Sequence, residues 1–284
     1  RQTLSSARDC LMDANQIICG DNVEVLKKFD DESVDLTVTS PPYDNLRNYK
    51  RTVDGRKIEY NGYSFPFEEL AAELYRVTKP GGVVVWVVGD ATEKGSETGS
   101  SFRQALHFMD CGFNLHDTMI YEKNSISFPS KTRYYQIFEY MFIFSKGKPK
   151  TINLIRDKKN KWAGVKYWGD ISARDKDGKL VTNENKRDYK VPEFGVRNNI
   201  WRYNTGKGFS SKDKEAYEHP AIFPEKLAED HILSWSQPGD IVLDPFVGSG
   251  TTAKMAILND RKYVGIDIVK DYCDIAKKRL EKIV

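Results

Sequence analysis

The first 145 residues alternate short apolar runs with patterns of helical period. Apolar residues three and four positions apart indicate amphipathic helices, whereas short β-branched runs between turn residues indicate strands. The run 83–88 is apolar throughout, which is typical of a parallel strand buried on both faces. The pattern predicts strands at 16–19, 34–39, 83–88, 115–121 and 135–144, and helices at 22–28, 67–77 and 101–111. This alternation predicts an α/β fold. The last two strands of this segment, at 115–121 and 135–144, are predicted to form an antiparallel pair.

The alternation stops between residues 146 and 217. Residues 146–215 include 19 Lys+Arg and 9 Asp+Glu, whereas the rest of the chain has 25 Lys+Arg and 32 Asp+Glu. The net charge of the whole chain, +3, hides this difference. A solvated, partly disordered insertion is one interpretation, and a small folded module that contacts nucleic acid is the other. Scattered aromatic residues such as Trp162 and Trp201 favour the folded module.

The alternation returns after residue 217. The pattern predicts a helix at 221–235, a strand at 241–243, a glycine loop, a helix at 251–258, a strand at 263–268 and a closing helix. We therefore divide the chain into 1–145, 146–217 and 218–284.

Composition excludes several classes of protein. No apolar run approaches the roughly 18–20 residues of a membrane span, and no basic segment followed by an apolar core begins the chain, so we expect a cytoplasmic protein. The four cysteines show no CxxC spacing, and the four histidines show no paired ligand spacing. Neither a metal site nor a disulfide framework is therefore expected.

The stretch VLDPFVGSGTTAKMA, residues 242–256, has the pattern of a strand, a glycine loop and a helix. Such a turn presents backbone N–H groups and the positive end of a helix to an anionic or polar ligand. Gly248, Gly250 and Ala253 fit the loose dinucleotide-binding pattern, so a nicotinamide cofactor is one alternative. Asp244, at the end of the strand, would repel a pyrophosphate but would attract the positive amino group of S-adenosylmethionine.

Asp267 ends the next strand, in the stretch YVGIDI, where an acidic residue often binds a ribose diol. A helix N-cap is the alternative role for this carboxylate. Thr251 occupies the position where a Walker loop has lysine, which excludes that nucleotide-binding motif. Asp244, the glycine loop and Asp267 together favour S-adenosylmethionine as the cofactor.

The stretch VTSPPYDNL, residues 38–46, leaves an apolar strand through a hydroxyl residue, two prolines and an aromatic residue. Pro41 and Pro42 donate no backbone N–H, and their rings fix φ near about −65°. They therefore end the pairing of the strand and hold the following segment in a stiff conformation. A simple strand-ending turn is the alternative interpretation.

The motifs TSPPY at 39–43 and DPFVGSGTT at 244–252, in this order on either side of a basic segment, resemble those of the β-class DNA amino-methyltransferases. The resemblance implies a Rossmann-like sheet that is circularly permuted and carries a basic target-recognition region at 146–217. It implies that 1–145 and 218–284 are the catalytic and cofactor-binding halves of one domain, with the strand at 263–268 beside the strand at 16–19. It also implies S-adenosylmethionine as methyl donor and double-stranded DNA as substrate.

The same resemblance assigns catalytic roles to Ser40, Pro41, Pro42 and Tyr43. The exocyclic amino nitrogen of cytosine or adenine is a poor nucleophile, because its lone pair is conjugated into the ring. The hydroxyl of Ser40 and the carbonyl of Pro41 would accept hydrogen bonds from both amino hydrogens and so localise that lone pair. Tyr43 would stack on the flipped base.

Further site residues are also implied by the resemblance. The cofactor-binding set is Asp21, Asp244, Pro245, Phe246, Gly248, Ser249, Gly250, Thr251, Asp267, His219, Pro220 and Phe223. Asp21 would lie near the adenine of the cofactor and Phe246 would line its pocket, whereas a hydrophobic helix anchor is an alternative role for Phe223. Directly after the catalytic motif, a cationic loop is predicted to contact DNA through Arg47, Lys50 and Arg51. A merely solvated loop is the alternative there.

In the family that the chain resembles, aspartate at the position of Ser40 more often accompanies adenine N6, so the resemblance favours cytosine N4 over adenine N6 as the methylated atom. None of the four cysteines follows a proline, so methylation of a cytosine carbon is not expected. A nicotinamide-dependent oxidoreductase and a non-catalytic DNA-binding protein are the competing functions. A cognate restriction endonuclease is a candidate functional partner, and we expect a monomer or a homodimer.

Overall fold

The computed structural model describes residues 14–42, 51–53, 56–58, 66–124, 131–166, 171–183, 190–219 and 222–283. Of residues 51–53, 56–58, 171–173 and 182–183 it describes the backbone alone. The chain divides into two compact units. The smaller unit is Leu154–Asn198, and the larger unit contains the segments on both sides of it.

The larger unit contains the elements that build the main sheet and its covering helices. Up to residue 153 these are β1 (Gln16–Cys19), α1 (Asn22–Leu26), β2 (Val34–Thr39), β3 (Arg51–Val53), β4 (Arg56–Ile58), α2 (Phe67–Val77), β5 (Thr78–Val88), β6 (Thr92–Glu93), β7 (Ser96–Glu97), α3 (Ser100–Asp110), β8 (Asn114–Lys123) and β9 (Phe138–Ser145). The smaller unit follows with β10 (Lys158–Lys159), β11 (Ile171–Arg174), β12 (Leu180–Asn183) and β13 (Phe194–Gly195). The larger unit then resumes with β14 (Ile200–Tyr203), a 3-10 turn (Glu215–Glu218), α4 (Glu225–Trp235), β15 (Ile241–Asp244), α5 (Thr251–Leu258), β16 (Lys262–Asp267) and α6 (Lys270–Leu280).

Among the described residues, eight strands form one sheet in the order β1-β16-β15-β2-β5-β9-β8-β14. The first five of these strands are parallel, whereas β9 runs antiparallel to both β5 and β8. The chain passes from β15 to β16 toward one side of the sheet and from β2 to β5 toward the other. The strand order therefore reverses between β15 and β2, the place where open α/β sheets bind their ligands.

The core lies between this sheet and the helices on its faces. All six residues of β2 are buried, as expected of a parallel strand that is covered on both sides. Helix α2 buries residues three and four positions apart, including Leu70 and Leu74, against the same core. Each such leucine contributes roughly 1.5–3 kcal/mol of hydrophobic stabilisation. The position of the parallel strand ends is therefore fixed by a dense apolar core.

Several predicted elements are confirmed. The strands at 16–19 and 34–39 and the helices at 67–77 and 251–258 have the predicted bounds. β16 pairs parallel with β1, as predicted for the last strand of the chain. β8 and β9 form the predicted antiparallel pair.

Two elements begin four residues or more from their predicted first residue. β5 begins at Thr78, not at residue 83, because Thr78 pairs with Val34 of β2 and an irregularity in the register accommodates the following residues. Helix α4 begins at Glu225, not at residue 221, because Pro224 has extended backbone angles and forms the N-cap. The residue before a proline is also disfavoured in the helical conformation.

Strand β14 was missed, because it lies in a segment predicted to have no regular structure. It pairs parallel with β8 at the edge of the main sheet. Its side chains alternate between exposed and buried, with Trp201 and Tyr203 facing the core. The hydroxyl of Tyr203 donates to Asp230 on α4 at 2.7 Å, and the ring of Trp201 stacks on His231 with centroids 4.6 Å apart.

The smaller unit, Leu154–Asn198, contains fewer residues than the predicted region 146–217. Strands β10 and β13 pair antiparallel, and β11 and β12 form a hairpin. The carboxylate of Asp175 closes the hairpin turn by accepting from the amides of Asp177 and Lys179, at 3.0 and 2.9 Å. Arg197 and Asp157 form an ion pair within this unit. The predicted role of the region in target recognition stays a prediction.

Across the part of the chain that the structure describes, no helix is long and apolar enough to span a membrane. The same residues contain no cluster of three or more His, Cys, Asp or Glu side chains arranged to hold a metal ion.

Candidate active site

The carboxyl ends of the five parallel strands lie along one edge of the main sheet. Ser40 directly follows β2, and Asp244 is the last residue of β15. The strand order reverses between these two strands. The hydroxyl of Thr39, the last residue of β2, donates to Oδ1 of Asp244 at 2.6 Å. On α5, the Thr252 hydroxyl donates to the carbonyl of Val38 at 3.2 Å. These bonds join the end of the predicted catalytic strand to the predicted cofactor loop.

Asp244 is a buried carboxylate with 6% of its surface exposed. Burial raises its pKa to about 6, although the Thr39 hydroxyl and the amide of Phe246, which donates at 3.1 Å, favour the ionised form. Burial penalises the charged form of an acid, and a nearby cation would favour it. Asp244 is therefore suited to attract a positively charged ligand group to this edge of the sheet.

Asp267 binds the glycine loop from the end of β16. Its Oδ2 accepts from the amide of Gly248 at 3.0 Å, and its Oδ1 accepts from the amide of Val269 at 2.9 Å. Burial, together with the negative charge of Asp244, raises the pKa of Asp267 to about 6. A carboxylate has about four lone-pair positions, so these two bonds leave capacity for a further donor.

His219 packs directly on the glycine loop. Gly248 has φ of +48°, and a Cβ at this position would lie 3.0 Å from Nε2 and 3.1 Å from Cε1 of the His219 ring. The His219 ring also contacts the ring of Tyr272 on α6, with a distance of 4.3 Å between the ring centroids. A side chain at position 248 would displace the imidazole. Glycine here serves both the left-handed turn and the close approach of His219.

The end of β1 brings Asp21 to the same edge. Cys19 pairs in register with Asp267, and the amide of Gly20 donates to the Asp267 carbonyl at 2.9 Å. The Asp21 carboxylate caps α1 by accepting from the amide of Glu24 at 3.1 Å. The next residue, Asn22, is buried and donates from Nδ2 to the carbonyl of Pro245 at 3.3 Å. Asn22 thus links the predicted adenine side of the site to the DPF turn.

Phe246 is partly buried and packs on the core beside the end of β5. Its ring lies edge-on to Trp86, with centroids 6.3 Å apart. Trp86 is paired in register with Thr39 and donates from Nε1 to Gln104 at 2.8 Å. Phe246 therefore has a fixed position beside the carboxyl end of β2, and its role in lining the cofactor pocket stays a prediction.

Ser249 and Thr251 are buried, and their hydroxyls face inward. The guanidinium of Arg279 on α6 lies 3.1 Å from Oγ of Ser249 and 3.4 Å from Oγ1 of Thr251. It also donates to the carbonyl of Ser249. These two residues were predicted to bind the cofactor. Their side-chain hydroxyls contact Arg279, and their role in cofactor binding stays a prediction.

The remaining predicted site residues fall into two groups. Ser40 and Pro42 are partly buried and Pro41 is buried, directly after β2, while Pro245 and Gly250 are buried in the glycine loop and Phe223 is partly buried before α4. Tyr43, Arg47, Lys50 and Pro220 lie outside the described residues, and the side chain of Arg51 does so too. The structure thus brings together Ser40, Asp21, Asp244, Asp267 and the glycine loop.

Residues 34–278 match the family model N6_N4_Mtase, which is described as DNA methylase. The chain belongs to the N6/N4 DNA methylase family. Family membership favours the methyltransferase prediction over the nicotinamide-dependent oxidoreductase.

Known methyltransferases match this DNA methylase over most of its length. It is 67% identical to the orphan methyltransferase M.BamHII of Bacillus amyloliquefaciens over 254 residues, which cover 89% of this chain and 91% of the relative. It is 28% identical to the type II methyltransferase M.SmaI of Serratia marcescens over 309 residues, covering 97% of this chain and 92% of the relative.

Solved structures show the same α/β methyltransferase fold. The cytosine-N4-specific PvuII DNA methyltransferase has a TM-score of 0.63 at 23% identity, covering 93% of this chain and 85% of that one. The complex of M1.HpyAVI with S-adenosylmethionine has a TM-score of 0.57 at 24% identity, covering 93% and 98%.

Sequence reasoning missed two residues of this DNA methylase that organise its site. Thr39 bonds Asp244, and Asn22 bonds Pro245. A signal for both was present, because each directly adjoins a predicted site residue, Ser40 or Asp21. The missing information was the strand order. The pairing of β2 with β15 brings Thr39 to Asp244, and the pairing of both β1 and β15 with β16 brings Asn22 to Pro245.

Proposed function

We propose that the protein transfers a methyl group from S-adenosylmethionine to the N4 amino group of a cytosine flipped out of double-stranded DNA. The observation that carries the proposal is the Thr39–Asp244 hydrogen bond, which joins the Ser-Pro-Pro strand end to the glycine-loop strand. Base positioning and cofactor binding must meet for methyl transfer, so the pairing of the two strands that end in the motifs assigned to these functions supports the proposal.

The residues at this edge fit S-adenosylmethionine. Asp244 would hold the positive amino group, Asp267 and Asp21 would accept from the hydroxyl and adenine groups, and the loop at Gly248 and Gly250 would let the backbone close on the ligand. When bound, the cofactor supplies a sulfonium methyl group: the carbon–nitrogen bond forms as the carbon–sulfur bond breaks, leaving S-adenosylhomocysteine, and the amino nitrogen releases one proton to solvent. Ser40 and Pro41 would accept hydrogen bonds from the amino group and hold its lone pair toward the methyl carbon.

The choice of cytosine rests on serine at position 40. Adenine N6 is the second candidate, supported by the relative YhdJ of Escherichia coli, named a DNA adenine methyltransferase, at 28% identity over 278 residues. The base can be identified by incubating the protein with S-adenosylmethionine and unmodified mixed-sequence DNA, digesting to nucleosides and applying mass spectrometry. We expect N4-methylcytosine. N6-methyladenine would reverse the base, and no methylated nucleoside would contradict the proposed function.

We further propose that the smaller unit contacts DNA. Residues 154–198 include 12 Lys+Arg and 7 Asp+Glu, a composition that favours phosphate contact. Its turn at 160–165 presents Trp162 with 64% of its surface exposed, and the Nζ atom of Lys161 lies 5.5 Å from the ring centroid. The turn is fixed, because Asn160 and Gly164 donate backbone hydrogen bonds to Glu193 and Val191 at 2.9 and 2.8 Å.

Replacing Trp162 by alanine should weaken DNA binding by about tenfold, because burying a large apolar side chain against DNA would contribute roughly 1.5–3 kcal/mol. Trp162→Phe should retain most of the affinity. Fluorescence anisotropy with a labelled duplex measures the effect. Leu258→Ala is the matched control, since Leu258 is 54% exposed at the opposite end of α5 from the glycine loop. Equal affinities for wild type and Trp162→Ala would contradict this contact.

The finer predictions about organisation are part of the same proposal. The order of β2 before β15, with β1 beside β16, supports a circularly permuted sheet whose halves are 1–145 and 218–284 and whose target-recognition region is 146–217. We propose a cytoplasmic location and a monomer or homodimer. The name of the relative M.BamHII, an orphan methyltransferase, favours action without a cognate restriction endonuclease.

A further inference from the structure

Arg279 is a charged residue with no exposed side-chain surface, located near the end of α6. One side of its guanidinium contacts the glycine loop through the carbonyl and hydroxyl of Ser249 and the hydroxyl of Thr251. The proposed methyl transfer does not use the positive charge of Arg279, because its guanidinium is fully buried against the glycine loop. Its role has to be found in what its other side contacts.

The other side of Arg279 binds two carboxylates. Nε and Nη2 lie 3.1 and 3.0 Å from Oδ2 of Asp213, and Nη2 lies 3.0 Å from Oε1 of Glu225. Lys254 of α5 donates to the same two oxygen atoms, at 2.8 Å each. We call these four residues, Arg279, Lys254, Asp213 and Glu225, the charge clamp.

The charge clamp holds both ends of one stretch of chain. Asp213 and Glu225 stand on either side of His219, and the structure describes 213–219 and 222–225 of this stretch. The Ser211 hydroxyl donates to Oε1 of Glu225 at 2.6 Å and accepts from the amide of Asp213 at 3.0 Å, which ties the two ends to each other. His219, between them, packs on Gly248.

The energetics argue against a purely stabilising role. Arg279 and Lys254 are buried, and Asp213 and Glu225 are partly buried. Removing a charge from water costs several kcal/mol, and a buried ion network is often no more stable than apolar side chains of the same volume. Burial would raise the pKa of Asp213, but hydrogen bonds from Lys254 and Arg279 hold it below its ordinary value, so this carboxylate remains charged at neutral pH. A network of this kind can instead select one conformation of the groups that it joins.

We propose that the charge clamp positions His219 against the glycine loop and thereby organises the S-adenosylmethionine site before the cofactor arrives. This inference rests on the proposed function for its cofactor. The clamp residues are positioning residues, since they reach the ligand through Ser249, Thr251 and His219. They couple α5, α6 and the stretch before α4 into one wall of the site.

Two variants test the clamp, Asp213→Asn and Lys254→Met. Each removes one charge and leaves Arg279 in place. Hydrogen exchange of the amides at 214–219, measured without cofactor, should become about tenfold faster, because the end of the stretch is released. The dissociation constant for S-adenosylmethionine, measured by calorimetry, should rise by about fivefold to tenfold. The value of kcat at saturating cofactor should stay within about twofold of wild type.

Asp35→Asn is the matched control. Asp35 is a buried carboxylate that accepts from Lys79 and Lys150 at 2.7 and 2.5 Å, at the beginning of β2 and so at the opposite edge of the sheet. This variant should lower thermal stability without changing local exchange at 214–219 or cofactor affinity. Hydrogen exchange that becomes faster by the same factor at all amides of the clamp variants would overturn the proposal. So would clamp variants whose exchange at 214–219 and affinity for S-adenosylmethionine equal those of wild type. Absence of cofactor binding by wild type would contradict the proposed function, while the exchange comparison would still test the clamp.

Discussion

Replacing Ser40 by alanine should lower kcat for DNA methylation by about 10²–10³, the loss seen when one preorganised hydrogen-bonding group is removed from a reacting centre. Ser40 directly follows Thr39, whose hydroxyl bonds Asp244. The acceptor for the target amino group is therefore held by a strand end that is itself bonded to the cofactor strand. Single-turnover methylation at saturating S-adenosylmethionine and DNA measures this effect.

The affinity for S-adenosylmethionine should stay within about twofold in Ser40→Ala, because the hydroxyl is expected to act on the base alone. Ser33→Ala is the control at the opposite end of β2, where the Ser33 hydroxyl donates to the carbonyl of Asp30 at 2.7 Å. That variant should methylate at the wild-type rate. If Ser40→Ala keeps more than a tenth of the wild-type kcat, the hydroxyl is not the acceptor that the mechanism requires. A wild-type protein that binds DNA and never methylates it would favour the non-catalytic alternative.

The parts of the fold that the sequence predicted are those determined by local patterns. β2 is apolar or threonine at five of its six positions and is bounded by polar residues, and α2 has a clear helical period. The carboxyl ends of such strands share one edge in a parallel sheet, which made the positions of Ser40, Asp244 and Asp267 predictable. The glycine loop was predictable because turn residues have strong local preferences.

The parts that the sequence did not predict depend on distant partners. β14 is four residues long and lies in a basic segment, so its alternating pattern is too short to identify without its partner β8. Arg279 follows two exposed lysines, yet it falls three and four positions after the buried Ala276 and Ile275, on the buried face of α6. That spacing was a signal for burial. The partners that compensate its charge, Asp213 and Glu225, are more than 50 residues away in the chain.

Replacing Asp244 by asparagine should weaken S-adenosylmethionine binding by about tenfold to a hundredfold, because a hydrogen bond to a charged group contributes roughly 1.5–3 kcal/mol. Asparagine has the same shape and can still accept from Thr39 and from the amide of Phe246, so the local geometry is preserved. Calorimetric titration of wild type and variant with S-adenosylmethionine gives the comparison. Equal dissociation constants would exclude the carboxylate as the partner of the amino group.

The unligated Asp244→Asn protein should be at least as stable as wild type at neutral pH. The folded-state pKa of Asp244 is raised to about 6, above its ordinary value, so the ionised carboxylate opposes folding. Its contribution to the free energy of unfolding is therefore most favourable below the unfolded-state pKa of about 4 and is lost as the pH rises through about 6. Thermal unfolding between pH 4 and 8 should show that the stability of Asp244→Asn depends less on pH than that of wild type. The dependence that remains in the variant is due to Asp267, whose pKa is also raised to about 6.

Cofactor affinity should have the opposite pH dependence. A cationic ligand favours ionised Asp244, so binding below pH 6 must release a proton, and the dissociation constant should rise by up to about tenfold for each pH unit below that value. The dissociation constant should be lowest near pH 7 and should rise again above about pH 8, where the α-amino group of the cofactor loses its proton. In Asp244→Asn the slope should be smaller, because one of the two carboxylates no longer titrates. Proton release, measured by calorimetry in buffers of different ionisation enthalpy, distinguishes this mechanism from loss of folded protein: a wild-type affinity that falls at low pH without proton release would contradict it.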